Sequence, residues 1–192
     1  MKYCLALSFF LITGTAYTQI TTTVRWQVNK APDANDTIYY ANDRKLNWKD
    51  FQGRPDTKSI AAAITVSGFG YMLAMRSMNT KAAVTITVYC FYNKARSWVK
   101  PGVQSDYALL HEQHHFDITY IGACLFIKKL KAAVFTLNNY AGLIESINDE
   151  CNAEMEKMQN DYDGQTRNGQ LKDIQANWDK KIDAQLAVLI TD

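Results

Sequence analysis

Leu109-Leu110-His111-Glu112-Gln113-His114-His115-Phe116-Asp117 is the stretch whose reading decides the rest. Within it, His111-Glu112-x-x-His115 spaces two histidines four apart. On an α-helix, residues four apart lie one above the other on the same face. Two imidazoles so placed can reach one metal ion. Zinc takes nitrogen ligands at roughly 2.0–2.1 Å and prefers four partners. A carboxylate beside the first histidine can take a proton from metal-bound water, whose pKa falls to about 7. The spacing therefore predicts a Zn2+ site with His111 and His115 as ligands and Glu112 as the general base. The three histidines of the chain are all in this stretch, and Leu109, Leu110, Phe116 and Ile118 flank them. A half-buried histidine needs a polar partner, and a metal is one. The competing reading is a helix with polar residues near its start.

The flanking sequence predicts a helical hairpin. Ser105 is a good N-cap, and Leu110, Ile118, Ile121, Leu125 and Leu130 recur at helical spacing to about residue 136. Asn138-Asn139 makes a turn, and a second helix runs from about Tyr140 to Asn160. A short turn makes the two helices antiparallel neighbours, so facing residues have numbers summing to about 275. Cys124 and Cys151 then share a level, which predicts a disulfide between them in an exported chain. Cys90 is expected to be a buried thiol. The same register brings residues 160 to 164 level with His115 and His111. Asp163 is thus the expected third metal ligand, although it could equally be a turn residue. Asn168 is close through the following loop. Glu150 and Glu154 lie on the order of 9–15 Å along the helix from that level. Tyr162 could aim a phenol at a developing oxyanion or pack in the core. Asp117 is turned away from the metal face, and His114 is expected to be a surface or core histidine.

Before the hairpin the chain reads as strands. Thr21 to Val28 is an early strand, Asn29 to Asn35 a loop, and Thr37 to Tyr40 a short strand. Trp48 to Pro55 reads as a structural plug. Ile64 to Leu73 and Ala82 to Tyr92 alternate in strand period, with a turn between them, and should pair antiparallel. After the hairpin, a loop carries Tyr162 to Gly169. A last helix from about Gln170 buries Leu171, Ile174, Trp178, Ile182 and Leu189.

Residues 1–18 have the form of a signal peptide. Lys2 precedes an apolar run from Cys4 to Ile12, and Ala16 and Thr18 suit a cut before Gln19. Export to a periplasmic or extracellular compartment is the expectation, with residues 19–192 as one domain and no stable membrane insertion after cleavage. Hydrophobic content of 47% and charged content of 21% are ordinary for a globular chain, and a net charge of +2 gives no case for nucleic acid.

Several stretches resemble a bacterial family of secreted zinc proteases known as domain of unknown function 922. Leu109-Leu110-His111-Glu112-Gln113 through His115-Phe116-Asp117-Ile118 is similar to its signature. Leu46-Asn47-Trp48-Lys49-Asp50-Phe51-Gln52-Gly53-Arg54-Pro55-Asp56, Ser97-Trp98-Val99 and Tyr162-Asp163-Gly164-Gln165-Thr166-Arg167-Asn168-Gly169 resemble further elements of it. The likeness spans about residues 43 to 180. It implies a zincin-like metallopeptidase. One departure stands out, since Asn168 occupies the place of a family histidine.

The expected fold is α+β, with an N-terminal antiparallel sheet packed on a C-terminal helical hairpin and a final helix. The expected function is zinc-dependent hydrolysis of a peptide or protein substrate. The alternative is a secreted metal-binding or interaction protein whose site has degenerated at Asn168.

Overall fold

A computed structural model describes residues 20–27, 33–78 and 81–189. In chain order the elements are β1 (Thr21–Trp26), β2 (Asp33–Ala34), β3 (Thr37–Tyr39), a 3-10 turn (Trp48–Asp50), β4 (Ala63–Ile64), β5 (Ser67–Met78), β6 (Lys81–Asn93), β7 (Trp98–Val99), α1 (Asp106–Ala132), α2 (Tyr140–Thr166) and α3 (Lys172–Leu189). The signal-peptide reading falls outside the described residues. No helix among the described residues is long and apolar enough to cross a membrane.

β6 organises the sheet. Ala82, Val84, Ile86, Val88, Cys90 and Tyr92 alternate along it and are all buried, as a strand with one face on the core requires. β5 pairs with it antiparallel from Ser67↔Tyr92 to Met78↔Lys81, the expected hairpin. β3 also pairs antiparallel, but β1 pairs parallel, from Thr21↔Ala83 to Trp26↔Val88. The sheet is therefore mixed, which corrects the antiparallel expectation. Alternation within a strand fixes its face but not its direction, and the long intervening chain lets β1 return parallel.

Two local readings also change. The strand expected over Ile64 to Leu73 is split, because Ala63–Ile64 pairs with β7 instead. Val66 marks the break: its N–H donates to Ser97 Oγ and its carbonyl accepts from Asn93 N. Within the expected loop before β3, Asp33–Ala34 forms half of a hairpin turned at Asn35, whose φ is 45°.

The Trp48 segment is a plug, as expected. Arg44 holds the buried Asp50 through both carboxylate oxygens. A Cβ on Gly53 would sit 2.8 Å from the carbonyls of Ala95 and Ser97, so only glycine fits there. Leu46 N donates to Gln113 Oε1, which ties the plug to α1.

α1 is the middle layer. Ser105 Oγ caps it by accepting from Ala108 N. One face, with Phe116, Ala123, Phe126 and Leu130, packs on the sheet. The other puts Ile118 against Tyr162 of α2 and Trp178, Ile182 and Leu186 of α3. α2 runs to Thr166, so Tyr162 and Asp163 are helical rather than in a loop. The chain then reverses through Arg167, Asn168 and Gly169, all with positive φ of 51°, 52° and 77°. In α3 the buried stripe is Gln175, Trp178, Ile182 and Leu186; against expectation Ile174, and Leu171 just before the helix, are exposed, and Leu189 is half-buried.

The expected Cys124–Cys151 disulfide is not formed: Cys90, Cys124 and Cys151 are free thiols. The two residues share a level, but level does not set direction. Cys124 lies nine residues beyond His115, roughly two and a half turns, and so on the opposite side of α1. Its thiol lies beside Tyr120 and close enough to Cys90 to raise the latter's pKa after burial has done so. Cys151 instead feels Lys129, Glu150 and Glu154, and burial pushes its thiol up to about 11.

Candidate metal centre

α1 and α2 bring three ligand atoms to one point. His111 Nε2 and His115 Nε2 lie 3.3 Å apart, and Asp163 Oδ1 lies 3.2 and 3.1 Å from them. Of the described residues, these three form the group able to hold a metal. Atoms bound at 2.0–2.1 Å to a tetrahedral ion stand about 3.3 Å from one another. The triangle therefore has a size at which three ligand atoms could share one small metal ion.

The other ring nitrogens are both engaged by carboxamides. His111 Nδ1 lies 2.9 Å from Gln175 Oε1, and His115 Nδ1 lies 2.5 Å from Gln159 Oε1. Each amide is held one way round. Gln159 Nε2 donates to His115 O at 2.8 Å and to Thr119 Oγ1 at 3.2 Å. Gln175 Nε2 donates to the hydroxyl of Tyr162 and to Asp179 Oδ1. The Oε1 atoms must then accept, so each imidazole carries its proton on Nδ1. Both Nε2 lone pairs face the buried Asp163 Oδ1, which has no hydrogen-bond partner in that tautomeric state. Three acceptors converging without a donor repel unless a cation joins them. The donor set and its support thus fit a metal ion. Without an ion, a proton is drawn in. Burial opposes charge on His115, but Asp163, Glu112 and Gln159 carry its pKa up to about 9. Asp163 is held well below the usual carboxylate range, its burial outweighed by the two histidines.

Glu112 is buried and accepts a 2.8 Å hydrogen bond from Thr65 Oγ1 on Oε2. It opens with the ligands onto a cleft of about 410 Å³, walled by Trp48, Ala61–Thr65, Val103, Tyr107, Met155 and Glu156. Asn168 lines the same cleft, on the left-handed turn that follows α2. A Cβ on Gly169 would stand 3.3 Å from His111 Nδ1, so the left-handed turn packs directly on that ring. Tyr162 is fully buried, stacks on His111 at 4.7 Å, and spends its hydroxyl on His111 O and Gln175. It does not present a phenol to the cleft.

The remaining expectations resolve plainly. Glu150 and Glu154 pair with Lys129, away from the histidines. Asp117 is buried on the sheet side and takes hydrogen bonds from Tyr40 and Gln113. His114 is a core residue facing α3. Sequence reasoning missed Gln159, Gln175 and Thr65. The hairpin register places Gln159 level with His115, and Gln175 is a polar residue on an otherwise apolar stripe. Either signal could have found them.

No protein-family model matches the chain, and no curated protein or solved structure matches it either.

Proposed function

We propose that the protein is a zinc-dependent hydrolase that cleaves extended peptides. The observation that carries the reading is the triangle of His111 Nε2, His115 Nε2 and Asp163 Oδ1, with both Nδ1 atoms already committed. Asp163 fills the third ligand position, so Asn168 is not needed as a ligand. A bound zinc ion would supply Lewis acidity and a water of lowered pKa. Glu112, fixed by Thr65, is placed next to the first ligand to accept the proton of the attacking water. It then returns that proton to the leaving amine.

The cleft wall supports an extended substrate. Antiparallel ladders alternate residues that bond across the pair with residues that turn outward. Ala62 O accepts from Lys100 N, and Val66 bonds on the same side. Ala63, between them, therefore turns its N–H and C=O away from β7. That edge borders the cleft, where a peptide could add as a further strand.

The test is metal content together with hydrolysis of a quenched peptide library. The parent should bind one zinc per chain and cleave. Glu112→Gln should keep the zinc and lose cleavage by at least about 100-fold. His111→Ala and His115→Ala should lose both. A Gln variant as fast as the parent removes Glu112 from the mechanism.

A further inference from the structure

α3 reaches the centre through one polar position. Gln175 stands on the stripe of Trp178, Ile182 and Leu186 and is 1% exposed. Its two amide ends do different things. Oε1 faces His111 Nδ1 at 2.9 Å, and Nε2 donates to Asp179 Oδ1 at 2.6 Å. The same carboxylate oxygen lies 3.0 Å from Nδ1 of the buried His114, out of line for a hydrogen bond. A carboxamide is nearly symmetric in shape, so its orientation is decided by what its ends meet. A carboxylate only accepts. Nε2 also reaches the Tyr162 hydroxyl, which can turn to donate or accept and so does not dictate the orientation. Facing Asp179, the amide must present its N–H, which leaves Oε1 for the imidazole.

We propose that Asp179 is a positioning residue that selects the metal-binding tautomer of His111, acting through Gln175. With the amide reversed, its N–H would face Nδ1. The imidazole proton would then move to Nε2 and point at Asp163 and His115, where a ligand lone pair is needed. Asp179 also polarises the amide, which makes Oε1 a better acceptor and Nε2 of the imidazole a better donor of its lone pair. The consequence for metal binding rests on the reading of the cleft as a zinc centre. The tautomer does not, and it can be observed in the metal-free chain.

The experiment compares the full chain with Asp179→Asn and with a double variant that combines Gln175→Glu and Asp179→Asn. Zinc affinity is measured by chelator competition. The His111 tautomer is read from nitrogen-15 histidine spectra of metal-free protein at a pH where the ring is neutral. Asp179→Asn should weaken zinc binding about 10-fold or more and give a mixture of His111 tautomers, because Asn can donate or accept. The double variant should restore both, since a carboxylate at position 175 accepts from Nδ1–H unaided. Unchanged zinc affinity and an unchanged tautomer in Asp179→Asn overturn the proposal. So does a loss that the double variant does not restore, which would mark a packing role. If the parent binds no zinc, the zinc reading fails and the spectra alone decide. A shift to mixed tautomers in Asp179→Asn then upholds the role of Asp179, and no shift overturns it.

Discussion

His115 sets the pH dependence of the metal-free protein. Its folded pKa, about 9, lies above the ordinary value of 6.5. A raised pKa means the folded state holds the proton more tightly. Its contribution to stability is complete below about pH 6.5 and is lost as pH rises through about 9. Asp163 acts at the other end, where its stabilisation fades as pH falls below the ordinary carboxylate range. Urea unfolding of the metal-free chain should therefore show falling stability between pH 6.5 and 9. Saturating zinc should remove that slope, because the ion replaces the proton. Asn168 carries a different prediction. Its φ of 52° suits Asn but costs an alanine about 1 kcal/mol. Asn168→Ala should lower unfolding free energy by about that much while zinc affinity stays unchanged, as calorimetry and chelator competition would report. The grouping of His111, His115 and Asp163 could be read from the sequence because helical period and hairpin register are simple geometry. Register and stripe mark the positions of Gln159 and Gln175 in the same way, but not their role, since a carboxamide becomes a support only by what lies at each end of it.

At the scale of elements, α1 and α2 meet at Gly122. A Cβ there would stand 3.0 Å from Met155 Cβ and 3.2 Å from a ring carbon of Phe69, so helix, helix and sheet converge on a hydrogen atom. Gly122→Ala gains about 1 kcal/mol of helix propensity but overpacks a core contact by about 1–3 kcal/mol. The net expectation is a lower thermal midpoint, and Gly122→Val should fall further. β4 gives a second prediction. Ala63→Pro deletes the outward N–H at a position where the ladder does not need it. Peptide KM should rise with zinc stoichiometry intact. An unchanged KM would remove the edge from substrate binding. The existence of the helices and of the β5–β6 hairpin was plain from period alone. The length of α2 was not, because Asp161, Asp163 and Gly164 look like a helix stop. The stop is delivered instead by the left-handed run at Arg167 to Gly169, whose Asn-Gly pair signals a turn but not that the helix persists up to it. The cysteine pairing failed for a related reason: antiparallel register gives height along two helices but not the direction each side chain faces.

Across the whole molecule, α1 separates two packed regions and carries the centre on the side facing α2 and α3. α+β architecture was legible from the order of the patterns, and strand direction was not. The parallel seam between β1 and β6 has a consequence in time. It joins residues about sixty apart, from Thr21↔Ala83 to Trp26↔Val88, whereas the proposed ligands come from two helices joined by a short turn. Contacts close in sequence form before distant ones. On refolding, zinc uptake by the helical hairpin should therefore precede the change in Trp26 fluorescence that reports seating of β1. The reverse order in stopped-flow traces would contradict this. An ion captured so early meets the chain before the sheet is complete and before the cleft has its final walls. Which metal the protein carries would then be decided by what is dissolved where the chain folds, and little by the shape of the finished cleft.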